Sequence, residues 1–294
     1  DLHMPDISGI KLLDELRERN LALPVIIITA QQSVTTAVEA MRLGAFHYLS
    51  KPVNLEEMRA LLAKALDLYG DKKELKEIRT QRRKKHSANK ILGKSDEIQR
   101  VRDTIDTLKD IPNTIVLVRG ETGTGKNLIA KTIHYTSRWS GGRFVEINCA
   151  ALPDNLLESE LFGYEKGAFT DARAAKPGLL ELAAGGTLFL DEIDSMRLPL
   201  QAKLLSFLES RTFRRLGGVD DIKVSTRIIC ATNAALEERS AEKEFRKDLF
   251  FRINVVSLKL PALRTMGRAL LMIARELVKG FSKEFNKDVA GFTP

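Results

Sequence analysis

Between residues 116 and 130 the chain runs Val116-Leu117-Val118-Arg119, then Gly120-Glu121-Thr122-Gly123-Thr124-Gly125-Lys126-Asn127, then Leu128-Ile129-Ala130. The apolar run reads as a buried strand, the glycine-rich stretch as a turn, and the remainder as the start of a helix. The glycines let backbone N–H groups close around phosphate oxygens, the helix aims its positive end at them, and Lys126 adds a mobile cation. The pattern G-x-x-x-x-G-K-[ST] is met at every position but the last, where Asn127 replaces the hydroxyl residue that reaches magnesium. Gly120 to Leu128 are therefore the expected nucleotide-binding residues.

A second stretch fits the first. Gly186-Thr187-Leu188-Phe189-Leu190-Asp191-Glu192 is apolar until two adjacent carboxylates close it. In phosphate-loop ATPases such a strand serves magnesium and water: Asp191 holds the metal, with Asn127, and Glu192 orients or deprotonates the attacking water. Alternate strand residues point to opposite faces, so the two acids need not share one task. Phe144-Val145-Glu146-Ile147-Asn148 is another strand candidate. Arg227-Ile228-Ile229-Cys230-Ala231 is a third, and the Thr232-Asn233 that ends it is placed to sense a γ-phosphate or help position the water.

The first part of the chain alternates in the same way. Pro24 to Ala30 reads as a buried parallel strand, Val34 to Leu43 as a helix and Ala45 to Leu49 as a short strand. Asp1, Thr29 and Lys51 would then meet at a carboxyl edge. From Leu55 to about Ile78 the apolar spacing predicts a helix with a narrow seam suited to pairing, and 79–90 turns basic. A solvated linker and a DNA-touching patch are both readings of that basic run.

Composition adds exclusions. The chain has 294 residues, 44% apolar, enough for one large or two medium domains, and a formal net charge of +8. No run approaches the roughly 18 apolar residues that cross a bilayer. No charged-then-apolar leader with a cleavage site is read at the start of the given sequence, and a cytoplasmic setting without membrane contact is the expectation. Cys149 and Cys230 lie in apolar settings without metal-ligand spacing and read as buried thiols.

Asp1 with Met4-Pro5, then Thr29, Lys51-Pro52 and Gly44-Ala45, resemble a response-regulator receiver domain. The resemblance implies that Asp1 accepts a phosphoryl group from a sensor histidine kinase, with Thr29 and Lys51 contacting it. It also implies that the receiver's first strand, first helix and acidic pair would precede Asp1, so the sequence is expected to be a fragment. The chain as a whole resembles the sigma-54-dependent transcriptional activators. Gly120 to Lys126 looks like that family's phosphate loop, Asn148 like the switch residue tied to Glu192, and Gly167-Ala168-Phe169-Thr170-Asp171-Ala172 like the loop that touches sigma-54. Phe169 alone reads either as a packed residue or as an exposed contact. Arg246 and Arg252, in Phe245 to Arg252, match the arginine fingers given to a neighbouring subunit; the alternative for either is a surface ion pair.

The resemblance implies an α/β protein: a partial flavodoxin-like receiver at 1–66, a helical and basic linker at 67–90, an AAA+ nucleotide-binding domain at 91–262 and the start of a helical lid at 263–294. ATP and Mg2+ are the implied cofactors. Sigma-54 with RNA polymerase, the kinase, and copies of the same chain in a dimer and a hexamer- or heptamer-type ring are the implied partners. A lid arginine and an enhancer-binding helix-turn-helix are expected beyond Pro294. The rival reading is a degenerate ATPase fold kept as an oligomer scaffold, which Asn127 and Asp171 favour.

Overall fold

The computed structural model describes residues 8–19, 23–30, 38, 40–66, 80–82, 86–87, 91–93, 95–111, 113–287, 289 and 291–292. The chain divides into two compact units, 1–80 and 81–294, and the division falls inside the expected linker. Asp1 and most of 67–90 lie outside the described residues.

In the first unit, β1 (Ile26–Thr29) pairs in parallel with β2 (His47–Ser50), Thr29 opposite Ser50. Leu13, on the amphipathic helix Gly9–Glu18, packs with Ile27, Ala40 and Ala45 as a small core. The Lys51 N–H donates to the Thr29 carbonyl at 2.8 Å, so Thr29 and Lys51 do meet at one carboxyl edge. The helix expected from Leu55 is present over 55–66.

The second unit is built on a five-stranded parallel sheet in the order β11-β3-β10-β7-β4. The strands are β3 (Val116–Arg119), β4 (Phe144–Asn148), β7 (Thr187–Asp191), β10 (Arg227–Thr232) and β11 (Val256–Lys259). Two-residue pairs form separate hairpins, β5 (Gly163–Tyr164) with β6 (Lys176–Pro177) and β8 (Thr212–Phe213) with β9 (Ile222–Lys223). The central strands read as unbroken apolar runs because both faces are covered, and neighbouring residues divide between two cores. Leu117, Leu188, Leu190, Ile228 and Cys230 join one core with Leu157, Leu204 and Leu249. Val116, Val118, Phe189, Ile229 and Ala231 join the other with Ile98, Ile105, Ile129 and Ile133. The helices that cover the sheet start where their sequences dictate. Ser95 caps helix Asp96–Thr107 by accepting from the Ile98 N–H, with Asp96 and Glu97 in the first turn. Cys149 and Cys230 are buried free thiols, and burial pushes the Cys149 pKa up to about 12. Beyond β11 the helix Arg268–Glu284 leaves Leu271, Leu277 and Phe281 exposed.

Two predictions follow from these cores. Phe189 is fully buried and stacks on Phe144 at 6.0 Å between ring centroids. Phe189→Ala will cost about 3–5 kcal/mol, read as a lowered urea midpoint at unchanged slope. His134 is buried against Thr187, with its Nδ1 2.9 Å from the hydroxyl. Burial first, then the Arg227 charge, lowers its pKa from 6.5 to about 4. The unfolded chain therefore binds the extra proton more readily between those values, so stability is full above pH 6.5 and falls as pH drops toward 4. The loss will approach about 3 kcal/mol, and His134→Gln will flatten this part of the stability profile.

Candidate functional site

The site lies at the carboxyl ends of β3, β10 and β7. Gly123 and Gly125 take φ of 82° and 91°, a region closed to most side chains, and Gly125 caps helix Lys126–Thr136. A Cβ on Gly123 would meet nothing within 4 Å, so that backbone borders open space, whereas one on Gly120 would stand 2.7 Å from Thr124 Oγ1. Lys126 is 8% exposed, and its Nζ donates to the carbonyls of Gly120 at 2.9 Å and Glu121 at 3.2 Å. Of its three protons, at most one is left for another acceptor while it is folded back in this way. Thr124 Oγ1 donates to the Glu121 carbonyl at 2.7 Å, and Leu128 is exposed in the first turn of the helix.

β10 carries β7 beside β3. Asp191 ends β7 opposite Asn148 of β4, and the Glu192 N–H donates to Asp191 Oδ1 at 3.0 Å. Glu192 has φ 52° and ψ 47°, a left-handed conformation that costs a non-glycine residue about 1–2 kcal/mol. Burial raises the Asp191 pKa, and the Glu192 and Asp194 charges add to this. The Glu192 N–H and the Lys126 charge oppose the rise. Because β10 pairs in parallel with β3 on one side and β7 on the other, loop and acids leave the sheet at the same edge, one strand apart. An open glycine nest, a lysine and a carboxylate whose ionised form is penalised by burial fit a triphosphate with a divalent cation. Residues from the same edge, including Gly120, Glu121, Asn233 and Leu260, line an adjoining cleft of about 670 Å³.

The remaining expected residues have these placements. Asn127 Nδ2 donates to Glu146 Oε2 on β4 at 3.0 Å, and Lys131 Nζ is also 3.0 Å from that oxygen. Burial opposes ionisation of Glu146, yet these two hydrogen bonds and the Lys131 charge hold its pKa below the usual value. Asn148 Oδ1 accepts from the Ala150 N–H at 2.8 Å. Thr232 is fully buried and its hydroxyl donates to Asp194 Oδ1 at 2.6 Å, while Asn233 Nδ2 donates to Thr122 Oγ1 at 3.2 Å. Arg246 grips Asp248 through Nε at 3.1 Å and Nη2 at 2.7 Å, and Arg252 Nη2 donates to the Leu208 carbonyl at 2.9 Å. Both arginines thus have partners within the chain.

The 167–172 loop springs from the β5/β6 hairpin. Gly167 has φ 85°, and its N–H donates to the Ala172 carbonyl at 2.8 Å. Phe169 is 45% exposed, with one edge against Tyr164 at 4.9 Å. Thr170 and Asp171 are exposed on the same loop, Ala168 is half-buried beside Gly217, and Ala172 is buried at the loop's return. Arg215, from the neighbouring hairpin, bonds Glu165 at 3.0 Å and forks onto Glu181 at 2.9 and 2.7 Å.

Sequence reading missed Glu146, Asp194 and Arg264. Arg264 Nη2 donates to Glu121 Oε1 at 2.6 Å, tying the segment after β11 to the phosphate loop. Glu146 had a signal, a carboxylate inside an apolar strand; Asp194 had one in its closeness to the acid pair.

Comparison with known proteins agrees with this geometry. Residues 91–259 match the Sigma-54 interaction domain, and residues 1–63 match the response regulator receiver domain. Regulatory protein AtoC of Escherichia coli (strain K12) is 46% identical over 295 residues, covering 100% of this chain and 64% of that protein. The DNA-binding transcriptional regulator NtrC of the same strain is 40% identical, covering 97% of this chain and 60% of that protein. NtrX from Brucella abortus, solved in complex with ATP, superposes with a TM-score of 0.68 at 33% identity, over 95% of this chain and 59% of that one. The chain thus spans about three fifths of the length of these relatives. With the match extending over more than half its length and a receiver segment before it, the chain belongs to the sigma-54 interaction domain family, whose AAA+ phosphate-loop fold its second unit adopts.

Proposed function

We propose that this chain is the ATP-hydrolysing part of a two-component transcriptional activator that remodels the sigma-54 RNA polymerase holoenzyme. The observation that carries this reading is the meeting, at one sheet edge, of an open glycine nest with Lys126 and of the Asp191-Glu192 pair. The ATP bound to NtrX supports it for a relative. Residues 91–262 form the ATPase domain in this reading, 1–66 the receiver part, 67–90 the linker and 263–294 the start of a lid.

Amides of 120–125 and the Lys126 ammonium hold the phosphates, while Asp191, with Asn127, would hold the magnesium ion. When bound there, magnesium neutralises charge developing on the phosphate oxygens. Glu192 orients the attacking water and takes its proton, with Asn148 setting its position according to nucleotide state. Asn233 acts from the end of β10. Arg246 and Arg252 release their in-chain partners to reach the site of a neighbouring copy in a dimer or ring, which makes hydrolysis depend on assembly. Movement of the 167–172 loop then presses Phe169 and Thr170 onto sigma-54. Phosphorylation of Asp1 by a sensor histidine kinase, felt by Thr29 and Lys51, biases assembly. Enhancer DNA is contacted by a helix-turn-helix domain outside residues 1–294, and the setting is cytoplasmic.

Glu192→Ala will lower ATP turnover by at least about 100-fold while nucleotide affinity stays within about twofold; a fall below about tenfold contradicts the catalytic role. Phe169→Ala will leave ATP turnover within about twofold and weaken sigma-54 capture in the presence of a γ-phosphate mimic by at least tenfold, roughly the loss of an exposed aromatic anchor. Undiminished capture contradicts the loop assignment.

A further inference from the structure

Thr232 touches both halves of the site. Its carbonyl accepts the Gly120 N–H at 3.2 Å, at the entrance to the phosphate loop. Its hydroxyl donates to Asp194 Oδ1 at 2.6 Å and accepts the Ala234 N–H at 3.0 Å. The Ala234 carbonyl, at 3.5 Å, is too far to compete for the proton. A threonine hydroxyl has one proton, and here a buried carboxylate takes it. Asp194 is 7% exposed, its own carbonyl accepts from Arg239 Nη1 at 3.0 Å, and its second carboxylate oxygen lies 4.0 Å from Arg239 Nη2. Asp194 lies two residues after Glu192, in the short turn that begins with the left-handed Glu192 backbone. A conformation of that kind persists only where its surroundings over-determine it. The pins are the Asp191 carboxylate on the Glu192 N–H, Thr232 on the Asp194 side chain and Arg239 on the Asp194 carbonyl.

We propose that Asp194 is a positioning residue for Glu192, held by Thr232, and that Thr232 is a strut between phosphate loop and acid turn, its carbonyl on the Gly120 N–H and its hydroxyl on Asp194, rather than a direct γ-phosphate contact. The inference rests on the nucleotide-hydrolysing reading of the site. It reassigns the end of β10: Asn233 faces the loop and is the group left to meet phosphate, whereas Thr232 transmits position. Strain at Glu192 is thereby set from the strand that also sets the start of the loop.

The test compares Thr232→Val, Thr232→Ser, Asp194→Ala, Asp194→Asn and the Thr232→Val/Asp194→Ala double variant. Three quantities are read: hydrogen exchange of the Ser195 and Met196 amides, affinities for ADP and a non-hydrolysable ATP analogue, and ATP turnover. Thr232→Val and Asp194→Ala will each speed exchange in the turn about tenfold or more, with helix Asp96–Thr107 unchanged. Each will lower kcat at least about tenfold with KM within about twofold, and the double variant will be no worse than either single one. Thr232→Ser and Asp194→Asn keep the hydroxyl and an acceptor oxygen, and will restore both readouts to within about threefold of the unaltered chain. The ratio of ATP-analogue to ADP affinity will be unchanged by Thr232→Val. Additive losses in the double variant, unchanged kcat in Asp194→Ala, or a collapsed affinity ratio in Thr232→Val at unaltered turn exchange would each overturn the strut. An unaltered chain that binds no nucleotide would instead overturn the reading of the site, and the exchange of the turn amides would still decide the strut.

Discussion

Two segments about 65 residues apart in sequence, the turn after β3 and the acids ending β7, are held one strand apart by β10, and the site depends on that spacing. Neighbouring strands lie about 4.8 Å apart, so the two ends stand roughly 10 Å from each other, room for phosphates and a hydrated cation between them. The spacing is rigid because β3, β7 and β10 are buried on both faces, Val116, Phe189 and Ile229 in one core and Leu117, Leu188 and Ile228 in the other. Hydrophobic burial fixes the strands, and the strands fix the distance across which chemistry takes place.

At that edge charge is arranged with little slack. Lys126 is folded onto loop carbonyls, Asn127 onto Glu146 and Thr232 onto Asp194, and elsewhere in the unit Arg246 pairs with Asp248 and Arg252 with the Leu208 carbonyl. These bonds differ in cost of release. The Arg246–Asp248 pair is solvent-exposed and screened by water, so its exchange for a partner on another copy costs little. The Thr232–Asp194 bond is buried, and losing it would leave that carboxylate with only the Arg239 guanidinium at 4.0 Å as its charged neighbour.

Much of this was legible in the sequence, because buried parallel strands and a glycine-lysine turn leave strong local patterns. The strands from Phe144 and Arg227 and the acid pair at 191–192 could be located from apolar runs ending in polar residues. β11 went unread: only Val256 and Leu258 of Val256–Lys259 are apolar and turned inward, a weak alternation for an edge strand. The hairpins supporting Phe169 have two-residue strands, too short for any period to register. The roles of Glu146, Asp194 and Arg264 arise from contacts 19, 38 and 143 residues away in sequence, which no local pattern encodes.

The most direct measurement of the central claim is a crystal structure of the chain with magnesium and a non-hydrolysable ATP analogue. The account predicts that Lys126 Nζ turns from the Gly120 and Glu121 carbonyls to stand about 3 Å from phosphate oxygens, with the metal's water shell on Asp191. A nucleotide seated elsewhere, or phosphates in the nest with Lys126 still on both carbonyls and Asp191 apart from the metal, would contradict it.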